Sequence, residues 1–246
     1  MATGIDCLVK QIGDLYLNEE QSDVTIVVQG FSFPAHRLIL TQRCTYFKTM
    51  LNSGLVESTS NRIEIHEISA DGFLVFLEWV YTGLLRFTSI DETLEVIRLA
   101  HMYQITEVID LAANLLKKNF TPENVCNILN EAILLSHAEL TRCAVSFVKV
   151  RGSEILNLDS FKRLSKDALI MVLENGVSEV FYIDVVCAVV GWMKANPNNS
   201  AEFHNISKHL KLSSIELGEL EAVPVETFDV IVDLLRQRIT KQSVLL

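Results

Sequence analysis

The sequence lacks most of what announces chemistry. Its five cysteines, Cys7, Cys44, Cys126, Cys143 and Cys187, form no C-x-x-C and no pair at zinc-ligand spacing, and their odd number suits a reducing compartment. There is no G-x-G-x-x-G, no phosphate loop and no G-x-S-x-G. His137-Ala138-Glu139 has the H-x-E of zinc deaminases without the P-C-x-x-C that must accompany it, and His204 and His209 are five apart, off the spacing of a helical metal pair. Basic charge is also short. With 21 Lys+Arg against 31 Asp+Glu the net charge is −10, and the cluster Lys162, Arg163, Lys166 reads as a solvated face. Nucleic acid is therefore excluded as an expected partner. The longest uncharged stretch, Val24–His36, contains Gln, Ser, Pro and His and is too short to span a bilayer. Charges run through the apolar pattern of the first twenty residues, so no secretion signal is expected there. These absences leave an expectation of a soluble cytoplasmic or nuclear protein with no catalytic residue, cofactor or metal.

What is present is a chain made for burial. Hydrophobic residues are 49% of its 246, with only four prolines and ten glycines, enough apolar surface to offset the entropy of ordering. Ile5, Leu8, Val9, Ile12, Leu15 and Tyr16 recur at helical steps and predict a short amphipathic helix. Val24–Gln29 is β-branched and predicts a buried strand; Gly30 turns it into Phe31–Phe33, a hairpin. Helices are expected at Leu38–Leu51, after Ser69, after the capping-box pair Ser89/Glu92, and from about Thr106 to Asn119. Asn52–Asn61 reads as loop, and Arg62–Ile65 and Leu84–Phe87 as short strands. From Thr121-Pro122-Glu123, a helix start, only helices are expected: one through Val125–Leu135, one opened by a Ser136/Glu139 capping box, one capped by Ser165, a central one through Val185–Met193, and others at Leu210, Leu217, Leu220 and Phe228–Leu235. The fold class is α+β followed by all-α.

Several short motifs occur in one order: Ser22-Asp23-Val24-Thr25, Phe33-Pro34-Ala35-His36-Arg37, Arg43-Cys44-Thr45-Tyr46-Phe47, Leu55-Val56-Glu57-Ser58, Val80-Tyr81-Thr82-Gly83 and Leu99-Ala100-His101-Met102-Tyr103. Together they resemble the BTB (POZ) domain, and Pro122-Glu123-Asn124-Val125 with the Val189–Trp192 helix resembles the BACK domain that often follows it. Leu40–Phe47 is most similar to the BTB domain-containing protein 9 type, in which discoidin-like domains follow BACK; the 246 residues hold no such substrate module. The division this implies is an N-terminal helix at 1–20, a BTB domain at 21–119 and BACK at 120–246.

The resemblance implies a non-enzymatic homodimeric adaptor that binds the N-terminal domain of cullin-3 and recruits an unknown protein substrate to a ubiquitin ligase. It implies a dimer interface of Ile5, Leu8, Ile12 and Leu15 with a charged pocket of Asp23, His36 and Arg37. It implies a cullin surface of Phe47, Met50, Leu55, Val56, Glu57, Ser58 and Tyr103, the last joined by parts of the Thr121–Leu135 helix. The residues themselves leave other readings open. Asp23 and Arg37 also suit a local ion pair or a strand-start cap, and His36 a core histidine whose ring bonds backbone at a helix start. Leu55 can fold back on its own domain with Glu57 solvated, Tyr103 can be core, and the N-terminal stripe can dock on its own chain. The rival functions are a BTB scaffold that only self-associates or recruits corepressors, then a channel-type tetramer, then an enzyme.

Overall fold

In the computed structural model, residues 4–54, 56–66, 68–178 and 180–210 are described. They fall into two compact units, the first ending at Lys118 and the second beginning at Asn119. The helices expected at Leu217, Leu220 and Phe228–Leu235 lie outside the described residues.

The first unit runs α1 (Gly4–Gly13), β1 (Val24–Val28), β2 (Phe31–Ala35), α2 (Arg37–Arg43), α3 (Thr45–Asn52), α4 (Val56–Thr59), β3 (Arg62–Ile65), α5 (Ala70–Thr82), α6 (Ile90–Met102) and α7 (Thr106–Lys118). Among the described residues there is one three-stranded sheet, ordered β2-β1-β3. β1 is central because Val24, Ile26, Val27 and Val28 are all buried, which leaves neither face for water. It pairs antiparallel with β2, Val28 opposite Phe31, and parallel with β3, Ile26 opposite Ile63. Gln29 and Gly30 make the two-residue turn, both at positive φ (50° and 84°), the twist that suits a tight hairpin. Pro34 sits on the edge strand, where its missing N–H costs least.

α5 is the core of this unit. Ser69 caps it by accepting the Gly72 N–H, and Gly83 (φ 71°) ends it by donating to the Trp79 carbonyl. Between them Phe73, Phe76, Leu77, Trp79, Val80 and Tyr81 are all buried. Two expectations need correction here. Leu84–Phe87 is not a strand: Leu85 and Phe87 turn toward the core and Leu84 outward, but no ladder partner exists among the described residues. Asn52–Asn61 is not all loop, since α3 reaches Asn52 and Val56–Thr59 is one helical turn. The Ser89/Glu92 box forms as expected: Ser89 accepts the Glu92 N–H (3.1 Å), and the Glu92 carboxylate takes the N–H and hydroxyl of Thr88 (2.8 and 2.7 Å) together with the backbone N–H of Ser89, which hold it below the usual carboxylate range.

In the described part of the second unit every regular element is helical: α8 (Val125–Leu134), α9 (Ala138–Val150), α10 (Gly152–Ile155), α11 (Asp159–Lys162), α12 (Lys166–Asn175), α13 (Tyr182–Ala195), a 3₁₀ turn at Pro197–Glu202 and α14 (Phe203–Ser207). The α9 cap is also corrected. His137, not Ser136, occupies the N-cap and its Nδ1 accepts the Leu140 N–H, while Ser136 adopts a left-handed conformation (φ 54°). Side chains tie helix ends together inside this unit. Asn130 donates to the Arg163 carbonyl and accepts the Ser165 N–H, and the fully buried Trp192 donates to the Leu164 carbonyl at 2.7 Å. Burial pushes the Cys126 thiol up to about 11, so it behaves as a small core hydrophobe; Cys143 and Cys187 are only half-buried.

Two outcomes follow from this packing. A Cβ at Gly152 would lie 1.7 Å from Cγ1 of Val177, so Gly152→Ala should lower stability by about 1–3 kcal/mol in thermal melts, and Val177→Ala in the same chain should restore much of it. Because the carboxyl of Glu92 is held below its ordinary range, the stability it contributes is present at neutral pH and lost as pH falls through its folded value. Glu92→Gln should therefore lower the melting temperature at pH 7, with the difference closing below about pH 4.

Candidate functional site

Three groups of residues that the sequence set apart fall within the first unit. The first lies where β1 and α2 begin. His36 takes the N-cap position of α2 in extended conformation but offers its side chain to no backbone donor. The cap comes from Asp23, whose Oδ1 accepts the Arg37 N–H at 2.7 Å. The His36 ring turns inward, its Nδ1 2.8 Å from the Tyr81 hydroxyl, which also accepts the His36 N–H at 2.9 Å. This corrects the expectation that the ring bonds backbone. Burial pushes the Tyr81 phenol up to about 12, against the opposing hydrogen bond from His36, so the hydroxyl stays neutral and serves the histidine. Nε2 of His36 is buried with no partner among the described residues, a cost the surrounding packing must outweigh. Asp23 and Arg37 do not pair side chain to side chain. The Arg37 guanidinium donates instead to the carbonyls of Ser58 (3.1 Å) and Ser60.

The second group is the expected cullin surface. Phe47 is fully buried and Tyr103 is 2% exposed, so neither has area to give a partner; both are core, which corrects their assignment as contact residues. Tyr103 stacks face to face on Tyr46, centroids 4.2 Å apart, and meets Phe47 and Phe76 edge-on. Tyr46, 40% exposed, is the ring of this cluster that reaches the surface. The sequence reading missed it, although Tyr46 and the half-buried Met50 are four apart on α3 and share a face. Leu55 lies outside the described residues. Val56 and Glu57 lie on the backbone of α4, and Ser58 is half-buried with its carbonyl held by Arg37.

The third group is the N-terminal stripe. It divides rather than packing as one face. Leu15 is half-buried against the core of its own unit, and the neighbouring Tyr16 hydroxyl donates to the Leu74 carbonyl at 3.2 Å. Burial pushes that phenol up to about 12. Leu8 and Ile12 stay 56% and 37% exposed, and Val9 is exposed beside them; nothing is described of the Ile5 side chain. Val9, Ile12 and Leu15 form one wall of an open apolar groove of about 500 Å³, with Leu38, Ile39, Val80 and Tyr81 opposite. Leu38, 70% exposed on α2, was also missed. Leu38-Ile39-Leu40 reads as uniformly apolar, and only the helix geometry turns Leu40 in and Leu38 out. Tyr81 belongs both to this groove and to the His36 pair, which brings the charged group and the apolar stripe together. Among the described residues no three His, Cys, Asp or Glu side chains gather as metal ligands.

Comparison with known proteins is consistent with this geometry. The family model of the BTB/POZ domain matches residues 12–120. The BTB/POZ domain-containing protein 9 of Bos taurus is 35% identical over 88% of this chain and 36% of its own length, and that of Drosophila melanogaster 31% identical over 84% and 28%. Human Kelch-like protein 26 is 25% identical over 92% of this chain and 37% of its own. Among solved structures, the BTB domain of zebrafish PATZ1 aligns with 48% of this chain and 98% of its own at 22% identity and a TM-score of 0.40. The chain thus spans about a third of the length of the curated relatives it matches. A three-stranded sheet wrapped by helices, six motifs in one order and a family match over the same stretch lead to one conclusion: the chain is a BTB/POZ-domain protein, similar over most of its length to BTB/POZ domain-containing protein 9.

Proposed function

We propose that the chain is a dimeric, non-enzymatic adaptor whose BTB domain binds the N-terminal domain of cullin-3 and whose helical second unit is a BACK domain that spaces a substrate-binding module from it. A BTB domain is a protein-interaction module, and the observation that carries the dimer is the apolar groove. Exposed Val9, Ile12 and Leu38 line about 500 Å³ of open apolar space, with Leu8 exposed on the same helix, and an exposed apolar patch of that kind marks a surface with a partner. α1 has ten residues, too few to be stable in water by propensity. A second copy related by a two-fold axis would cover it with the same side chains.

The cullin reading rests on Leu55-Val56-Glu57-Ser58, which resembles the hydrophobic-x-Glu element of cullin-binding BTB domains. Its support from below is chemical. An apolar side chain suits a pocket, a carboxylate suits the positive end of a partner helix, and the exposed ring of Tyr46 near this surface offers rigid contact area. Substrates would be captured with the avidity of two copies. The second reading, a BTB scaffold that associates only with itself, draws on the groove alone and predicts no cullin complex.

Leu8→Asp with Ile12→Asp should give a folded monomer in light scattering at micromolar concentration where the parent chain is a dimer; a dimer that survives both changes removes the groove from the interface. Calorimetric titration with the N-terminal domain of cullin-3 should show one cullin per protomer, lost with Leu55→Ala and Glu57→Ala together. A folded dimer that gives no heat and no complex would establish the scaffold instead.

A further inference from the structure

We infer that Arg37 is a positioning residue, one that clamps the segment Val56–Ser60 in the shape the partner reads. The inference takes the identity of that partner from the adaptor reading, but the clamp itself is a matter of geometry.

α4 is a single turn of four residues, and one turn does not hold itself. The carbonyls at its C-terminal end carry the negative end of the peptide dipoles, where a cation is favoured. The structure supplies a cation there. Arg37 sits on a different element, its backbone N–H fixed by Asp23, and from that point its guanidinium donates to Ser58 O on α4 and to Ser60 O just beyond it. A planar fork with several donors can span two carbonyls; a lysine ammonium on a flexible stem cannot hold both in fixed directions. The chain past the clamp is anchored as well. Ser60 Oγ donates to the Arg62 carbonyl (2.6 Å) and accepts the Arg62 N–H, and Thr25 N–H donates to the Asn61 carbonyl (2.8 Å), which joins the segment to β1. Arg37 is therefore the link between the end of α4 and the corner at Asp23. A segment held in its bound shape loses little order on binding, whereas a loosened one binds in proportion to the fraction still in that shape.

The test compares the whole chain with Arg37→Gln and Arg37→Lys by amide hydrogen exchange and mass spectrometry, with and without the cullin-3 N-terminal domain. Without cullin, exchange across residues 56–60 should be about tenfold faster in Arg37→Gln, intermediate in Arg37→Lys and unchanged in α5 in both. Affinity for the cullin domain should fall about tenfold in Arg37→Gln and less in Arg37→Lys. Unchanged exchange in a folded Arg37→Gln overturns the clamp, and loosened exchange with undiminished affinity overturns its positioning role. The monomeric Leu8→Asp, Ile12→Asp chain is the control for dimerisation: if it loosens residues 56–60 as much as Arg37→Gln does, the effect passes through the dimer and the inference fails. Should Arg37→Gln not melt cooperatively, Arg37→Lys decides, and parent-like exchange in it overturns the clamp. A parent chain that binds no cullin while the exchange pattern holds overturns the adaptor reading and leaves the clamp standing.

Discussion

Helix α5 has no polar face wide enough to lie on a surface, and its burial dictates where the rest of the first unit must go. Each large side chain along it receives a different neighbour. Phe73 meets Phe33 of the hairpin, Phe76 meets Tyr103 at the end of α6, and the Trp79 ring lies under the Arg43 guanidinium, 4.5 Å from its centroid. Tyr81 holds His36, and even a carbonyl of this helix, that of Leu74, receives the Tyr16 hydroxyl beyond α1. A helix apolar on all sides is a core helix, and here it is also the common reference for both candidate interfaces. The apolar groove is walled by Val80 and Tyr81, while the Tyr46–Tyr103 stack rests on Phe76.

The charged residues near β1 follow from the same constraint. His36 cannot cap α2 with its side chain because Tyr81 has drawn the ring inward, so the first amide of α2 is served from outside the helix by Asp23. With one carboxylate oxygen of Asp23 on a backbone N–H, the Arg37 guanidinium reaches the carbonyls of Ser58 and Ser60. Two opposite charges close in space are thus used separately, each on backbone dipoles. Hydrogen bonds of this charge-assisted kind are about twice as strong as neutral ones.

Much of this was legible in the sequence because it is local. The β-branched run Val24–Val28, the Ser69 and Ser165 caps and the short strand at Arg62–Ile65 are all set within a few residues. What escaped depends on partners distant in the chain. Leu84–Phe87 is apolar enough to read as a short strand, but strand formation needs a neighbour with a free edge. Phe47 and Tyr103 carry the family motif, yet their burial is decided by stacking on each other and on Phe76. The exposure of Tyr46 and Leu38 is a matter of helix rotation, which a hydropathy pattern of two or three apolar neighbours does not resolve. The Arg37 bridge joins residues more than twenty positions apart, and no spacing rule foreshadows it.

The distribution of thiols has a practical side. Only a thiolate attacks an alkylating reagent, so a buried thiol with a raised pKa is slow to react. Cys44, Cys126 and Cys187 are all shifted upward by burial, and Cys143 is half-covered. Cys7 alone of the five is exposed, and it lies on α1, the helix that contributes Val9 and Ile12 to the apolar groove. A brief treatment with a maleimide dye would therefore colour that helix first. The fold thus carries one natural labelling position, on the helix that also bears Val9 and Ile12 of the groove.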